Sequence, residues 1–368
     1  MKVLLVSKAM VSAAYRQKAI ELARLPDLEL TVVVPPKWRE PGVGDLPLER
    51  GADAGYRLVV APIWFNGRHH LHLFPTLGRI VREVRPDVLH ADDESFNLVT
   101  AHALRIGGRA GACGVFFNWA NIYRRYPPPF SWFERFTFRR AAAGVAGNVA
   151  AKEILKRRGY RGPIAVIPQF GVDPDLFRPA ARQSADFTVG FLGRIVPAKG
   201  LDVLLRAVAG LDAKVRVLVV GRGQDEGRMR ALAASLGIAD RVEFRPPVPT
   251  PEVPAVLAPI ACLAVPSLTT PTWKEQFGRV IIEAMACGVP VVGSDSGEIP
   301  NVIGDAGIVV EEGNAEALRA ALRRLSEDPA LRADLARRGR ERVLDLFTHR
   351  RIAERYAEVY RAAWRGEG

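Results

Sequence analysis

Cysteine is scarce: the 368 residues hold three, Cys113, Cys262 and Cys287, far apart and each within an apolar segment. No two have the spacing of a zinc ligand set or of a disulfide framework, so neither organises this fold. They read as small apolar side chains in a reducing compartment. Long apolar runs are also missing. The opening run, residues 1–6, contains Lys2 and gives way to Ser7 and Lys8. Such a run is too short for a signal-peptide core or a membrane span, and it reads as a strand. A cytoplasmic location is therefore expected, with contact at the inner membrane face as an open option. No G-x-G-x-x-G follows that first strand, which argues against a dinucleotide-dependent dehydrogenase. No repeat or low-complexity tract is present.

Acidic residues are the minority, with 40 Asp and Glu against 52 Lys and Arg, for a net charge of +12. The excess suits anionic partners such as sugar nucleotides, phospholipid surfaces or nucleic acid. Much of it is Arg on helical faces, so an ordinary solvated basic surface explains it equally well. Apolar residues at 48% and charged residues at 25% are usual for a globular protein. The length predicts two domains.

Short apolar runs alternate with amphipathic stretches almost throughout. Strands are expected at 3–6, 30–34 and 88–91, with helices at 14–25 and 77–84. The alternation pauses between about 165 and 187, where Pro, Asp and Gly crowd 166–179 and a polar stretch, 182–186, follows. That is the expected linker. A second series then predicts strands at 189–192, 215–220, 242–244, 261–265, 289–292 and 308–310. Helices are expected at 201–209, 224–236, 279–286, 315–327, 330–346 and 350–364. Strands of four to six residues separated by helices imply α/β architecture with parallel, doubly wound sheets. Two Rossmann-like domains facing a central cleft are the expected arrangement.

Two segments carry the chemistry. Gly193-Arg-Ile-Val-Pro-Ala-Lys-Gly200 follows the first strand of the second series, at the sheet edge where open α/β folds bind ligands. Gly193 permits a sharp turn, and Arg194 and Lys199 bring two cations to one place, as a diphosphate would require. A plain basic βα loop is the competing reading. The second segment runs from Pro266 to Gly288. A polar loop containing Glu275 leads into a helix near Arg279, and the free N–H groups around Phe277, Gly278, Arg279 and Val280 could hold phosphates. Glu283 sits two turns along an otherwise apolar helix, where a carboxylate needs partners. Ribose hydroxyls would serve; so would Arg279, four residues earlier.

These motifs, with Ala284-Met-Ala-Cys-Gly-Val-Pro-Val-Val-Gly-Ser-Asp-Ser-Gly-Glu-Ile-Pro300, resemble the signature of retaining glycosyltransferase family 4, with its E-x7-E pair at Glu275 and Glu283. The resemblance covers nearly all of the second half and reaches back to 166–177. It implies a GT-B fold, with residues 1–170 as an acceptor-binding domain and 171–346 as a nucleotide-sugar donor-binding domain. Residues 347–368 would return as a helix to the first domain. By the same resemblance Arg194 and Lys199 contact the donor diphosphate, Glu275 the sugar and Glu283 the ribose. Gly193 and the helix amides would join them, and the loop 245–249, with Val248, would meet the base. No cofactor and no metal are implied beyond the co-substrate itself.

The first half departs from the family in places. Ser7-Lys-Ala-Met-Val-Ser-Ala-Ala-Tyr15 has no glycine where many relatives have a Gly-rich loop. Where many have a His after a middle strand, this chain reads Val115-Phe-Phe-Asn-Trp-Ala-Asn-Ile122, with Asn118 or Asn121 as replacements. Asp93 and Glu94 in Asp92-Asp-Glu94, with Asn97, are read as acceptor-binding rather than metal-binding. Arg68-His-His-Leu-His72 lacks matching metal-ligand spacing and reads as a polar loop near the cleft. Residues 123–140 interleave aromatics with five Arg, suited either to a membrane interface or to packing on their own domain.

The reaction so implied moves a sugar from a nucleoside diphosphate to the hydroxyl of a saccharide or lipid-linked saccharide, with retained configuration, in cell-surface or extracellular polysaccharide synthesis. A GT-B epimerase or hydrolase would instead turn over donor without acceptor. A basic nucleic-acid-binding protein would show strongly salt-dependent binding, but no recognition motif supports it.

Overall fold

The computed structural model describes residues 1–51, 55–180 and 187–367. The polar part of the expected linker, 182–186, lies outside the described residues. The chain divides into two units, one of Met1–Phe170 with His349–Gly368, the other of Gly171–Thr348.

In the N-terminal unit the elements are β1 (Lys2–Val6), α1 (Ala13–Ala23), β2 (Glu29–Val34), β3 (Lys37–Glu40), β4 (Gly44–Pro47), β5 (Arg57–Val60), α2 (Leu77–Val84) and β6 (Val88–Ala91). They continue with α3 (Leu98–Arg109), β7 (Cys113–Asn118), α4 (Phe130–Arg140), β8 (Ala141–Ala146), α5 (Val149–Arg157) and β9 (Ile164–Val166). The sheet has the order β5-β2-β1-β6-β7-β8-β9, and its strand pairs are parallel. Val3, Leu4, Leu5 and Val6 are all buried. β1 lies mid-sheet, so both faces are covered and the strand reads as one apolar run instead of an alternation.

In the C-terminal unit β10 (Thr188–Leu192), α6 (Leu201–Ala209), β11 (Arg216–Val220), α7 (Glu226–Ser235), β12 (Val242–Arg245), α8 (Val253–Leu257) and β13 (Cys262–Val265) come first. Then follow α9 (Arg279–Ala286), β14 (Val291–Ser294), α10 (Ile299–Ile303), β15 (Ile308–Val310), α11 (Ala315–Glu327) and α12 (Pro329–Leu346). The sheet order is β12-β11-β10-β13-β14-β15, again parallel at each pair. Both sheets are wound outward in two directions from a central pair, β1 with β6 and β10 with β13. The carboxyl ends of such a pair leave a crevice.

The last helix, α13 (His349–Arg365), belongs to the N-terminal unit. Ile352, Ala353, Tyr356, Tyr360 and Ala363 fall on one helical face, and they share a core with Val3, Leu5, Ala19 and Leu22. Phe347 and Thr348 stay with the C-terminal unit, where Phe347 accepts from Val172 N–H at 2.9 Å.

Some boundaries differ from expectation for local reasons. The strand expected at 289–292 forms at Val291–Ser294, because Gly288 ends α9 with φ +70° and Pro290 has no N–H for a ladder. The helix expected at 224–236 stops at Ser235, just short of Gly237 with φ +69°. Residues 115–118 lie within a strand and not after it. Most aromatics of 123–140 pack on their own unit. Tyr126 stacks on Phe96 at 3.9 Å, Phe138 lies 5.3 Å from Tyr160, and Arg158 covers Tyr126 at 4.5 Å. Trp132, by contrast, is exposed. Among the described residues no helix is long and apolar enough to cross a membrane.

Candidate functional site

A cavity of about 480 Å³ opens at the carboxyl ends of β10, β11 and β12. Leu192, Gly193 and Arg194 line it from the end of β10, Val220, Gly221 and Arg222 from β11, and Pro247 and Val248 from the loop after β12. Val280 and Glu283 of α9 close another side. Arg194 and Arg222 are exposed, so the lining offers two guanidinium groups to an anion beside a largely apolar wall.

Glu283 is buried, and Arg279 donates to it through Nε at 2.6 Å. Burial pushes its carboxyl above the usual range, and the Arg279 charge only partly offsets the shift. Arg279 also donates to Thr250 Oγ1 at 3.1 Å. The i,i+4 ion pair and the cavity wall are therefore both real features of this carboxylate.

Lys199 and Glu275 are not on that lining. They bond to each other at 2.5 Å, and Ser267 Oγ donates to the same Glu275 oxygen at 3.1 Å. Two glycines permit this arrangement. Gly200, at φ +67°, packs so tightly that a Cβ would run into the Pro266 carbonyl, which brings the loop after β10 against the loop after β13. Gly278, at φ +76°, starts α9 in the left-handed region. Phe277 beside it is buried, its ring 5.8 Å from Phe347.

A second cavity, about 550 Å³, lies in the N-terminal unit at the ends of β1 and β6. Lys8, Asp92, Asp93, Glu94 and Asn97 line it, with Trp38, His69, His70 and Trp119. Lys8 Nζ bonds to Asp93 Oδ2, and His72 Nε2 lies 3.3 Å from the same oxygen. Burial acts to raise the Asp93 carboxyl, but Lys8 and His72 outweigh it and hold it well below the usual range. Glu94 goes the other way. Burial pushes it up to about 7 although Trp119 and Ala120 N–H both donate to Oε1 at 3.0 Å. Its Oε2 is buried and has no hydrogen-bond partner among the described residues.

Below the pocket floor Lys18 donates to Asp92 at 3.1 Å and Ser7 Oγ to Asp92 at 2.9 Å. Lys18 also lies 4.8 Å over the Tyr356 ring, and Tyr360 bonds to His90 Nδ1 at 2.7 Å. The last helix thus helps to fix Asp92.

Of the sequence-predicted donor residues, Gly193, Arg194, Val248, Val280 and Glu283 share one cavity; Lys199, Glu275, Phe277, Gly278 and Arg279 stand beside it in the same unit. Asp93, Glu94 and Asn97 share the other cavity. Asn118 and Asn121 are buried and do not line it; Asn118 ends β7 and accepts from Ser95 Oγ at 3.4 Å. Sequence reasoning missed Arg222, although Gly221-Arg-Gly223 after a strand was a usable signal. It also missed Lys8 and Trp38 as pocket residues, whereas His69 and His70 lie in the loop it placed near the cleft. Among the described residues no cluster of His, Cys, Asp or Glu has the form of a metal site.

Comparison with known proteins adds a family and a fold. Residues 173–342 match the model of glycosyl transferases group 1, and residues 18–176 match that of glycosyltransferase family 4. The chain is 34% identical over 361 residues to a GDP-mannose-dependent alpha-(1-6)-phosphatidylinositol monomannoside mannosyltransferase of Mycolicibacterium smegmatis, covering 90% of each chain. It is 35% identical over 240 residues to a D-inositol 3-phosphate glycosyltransferase of Streptomyces bingchenggensis, covering 59% of this chain and 51% of that one. The match therefore spans about half the length of such inositol phosphate relatives. Among solved structures, Anabaena HepE in complex with UDP superimposes with TM-score 0.75 at 20% identity, over 98% of this chain and 100% of that one. Sucrose-phosphate synthase from Thermosynechococcus elongatus gives 0.71 at 20% identity, over 99% of each chain. These likenesses identify the fold as GT-B.

Proposed function

The chain belongs to glycosyltransferase family 4, and from that premise we propose that it transfers a hexosyl group from a nucleoside diphosphate sugar to an acceptor hydroxyl with retention of configuration. The carrying observation is that Gly193, Arg194, Val248, Val280 and Glu283 line one cavity at the carboxyl ends of parallel strands. The base lies against Pro247 and Val248, and the ribose hydroxyls bond to Glu283. The diphosphate meets Arg194, the α9 amides and Lys199, while Glu275 orients the sugar. The relatives' names support the donor class, since one uses GDP-mannose and the solved HepE carries UDP.

In the transfer step the bond from the anomeric carbon to the phosphate oxygen breaks, and the acceptor oxygen bonds to that carbon on the same face. The hydroxyl proton passes to the departing phosphate oxygen. Arg194 and Lys199 stabilise the negative charge that develops on the diphosphate, and Glu275 faces the positive charge on the ring. No metal takes part in this scheme. The acceptor, a saccharide or lipid-linked saccharide, enters the pocket of Asp93, Glu94 and Asn97. The product feeds cell-surface or extracellular glycoconjugate assembly, made in the cytoplasm or at the inner membrane face, where the exposed Trp132 and neighbouring Arg residues favour peripheral contact.

The test is incubation with GDP-mannose, UDP-glucose and related donors plus a panel of saccharide acceptors, with the product anomer read by NMR. Transfer with the donor's anomeric configuration supports the proposal. An inverted product, or donor consumption that does not depend on acceptor, contradicts it.

A further inference from the structure

The N-terminal pocket has its positive charges already matched. Lys8 is the single Lys or Arg among its described lining residues, and Asp93 holds it. Lys18, beneath the floor, is committed to Asp92 with both side chains almost fully buried. Glu40 adds a further carboxylate, accepting from Trp38 Nε1 at 2.8 Å and lying 3.6 Å from His69. Burial and the Lys8 charge both lower the basicity of His69, so it does not supply a standing cation. The wall carries acceptor oxygens and aromatic surface, from Glu40, Asp93, Asn97, Trp38 and Trp119, beside side chains such as Ser12, Tyr15 and Gln169 that bring no full positive charge.

We infer that the acceptor ring entering this pocket is an uncharged polyhydroxylated ring and bears no phosphate. Its hydroxyls donate to carboxylate and amide oxygens, and its C–H face lies against aromatic surface. A phosphate placed there would meet carboxylates in a partly desolvated cavity, where like charges repel far more strongly than in water. To be neutralised it would have to take Lys8 from Asp93 and leave that buried carboxylate without its lysine, held by His72, Asn97 and the Glu94 N–H alone among the described residues. The inference rests on the acceptor role proposed above for this pocket.

Ligand-observed NMR on the full chain tests it by binding alone, independent of turnover. The probes are matched pairs: myo-inositol with myo-inositol 1-phosphate, and methyl mannoside with mannose 6-phosphate. The neutral member of a pair should bind at least about tenfold more tightly than its phosphorylated form. Asp93→Asn, which frees Lys8, should shrink that ratio to about threefold or less. Glu40→Gln, at a half-exposed position whose loss leaves the core intact, should shrink it in the same direction. Equal or tighter binding of the phosphorylated rings, or binding of no ring, overturns the inference. Preferential binding of neutral rings without any glycosyl transfer would instead contradict the proposed function and its acceptor role, while leaving the pocket's preference for uncharged rings intact.

Discussion

Lys199 and Glu275 form an ion pair at 2.5 Å that ties the loop after β10 to the loop after β13. Their side chains are 21% and 9% exposed, so the pair is shielded from solvent, the lysine less completely than the carboxylate. A donor diphosphate arriving beside Lys199 would share a cation that already fixes Glu275. Lys199→Ala should therefore lower kcat/KM by at least about a hundredfold and stability by on the order of 1–3 kcal/mol, since Glu275 loses its main partner in a buried place. Lys199→Ala with Glu275→Gln should regain much of the stability but not the activity. Thermal unfolding and initial rates on both variants check this.

Glu283 gives a prediction about the nucleotide itself. If it bonds the ribose, the wild type should prefer a ribonucleotide over the 2′-deoxy form by about tenfold, one charged hydrogen bond. Glu283→Gln should abolish that preference while leaving diphosphate recognition in place. Calorimetric titration with both nucleotides reads the ratio directly.

The glycines differ in what they tolerate. Gly200→Ala puts a Cβ into the Pro266 carbonyl and strains a φ of +67°, so it should cost on the order of 2–4 kcal/mol. Gly227→Ala meets nothing within 4 Å among the described residues and lies inside α7. It should stabilise by about 0.5–1 kcal/mol, because alanine is the better helix former. Denaturant unfolding of the two variants should move in opposite directions.

His90 makes the fold acid-sensitive. Burial pushes its imidazole down to about 3, against about 6.5 in an unfolded chain. Between those values the unfolded state binds the proton and the native state does not, so stability falls as pH drops from about 6.5 towards about 3. The groups facing it are Asp92, Lys18, Tyr356 and Tyr360; Asp92, also lowered, adds a loss of the same sign at more acid pH. His90→Gln should flatten the slope over the upper part of this window by up to about 1.4 kcal/mol per pH unit. Chemical unfolding at stepped pH measures it.

Glu94 should behave in the opposite sense. Its folded value, about 7, lies above the unfolded one, so its contribution is present below about 4.3 and is lost as pH rises through 7. Glu94→Gln should therefore stabilise the protein at pH 8 by on the order of 2 kcal/mol relative to wild type and change little at pH 4. Parallel melting curves at the two pH values decide it.

The fold was largely legible because parallel strands and amphipathic helices leave plain patterns. The helices Leu77–Val84, Leu201–Ala209 and Arg279–Ala286 fall where apolar spacing and flanking Pro or Gly put them. The β3–β4 hairpin was not legible. Lys37, Arg39 and Asp45 are charged and pair across an exposed ribbon, and no apolar alternation marks it. In the donor-type site the motif residues fall in two short runs, 193–200 and 275–283, each legible by itself, and the family resemblance joined them. The second pocket joins Lys8 to Asp93 across 85 residues and brings in Trp38 from β3 and His70 from the loop before α2. Only the strand order β2-β1-β6 puts these groups at one edge, and sequence spacing does not carry that order.

Calorimetric titration with UDP, GDP, ADP and TDP, on wild type and Arg194→Ala, probes the nucleotide site of the C-terminal unit. One of the four nucleotides should bind with a Kd on the order of micromolar, and the substitution should weaken it at least about tenfold. Absence of binding by all four to folded protein, or binding that Arg194→Ala leaves unchanged, would contradict it.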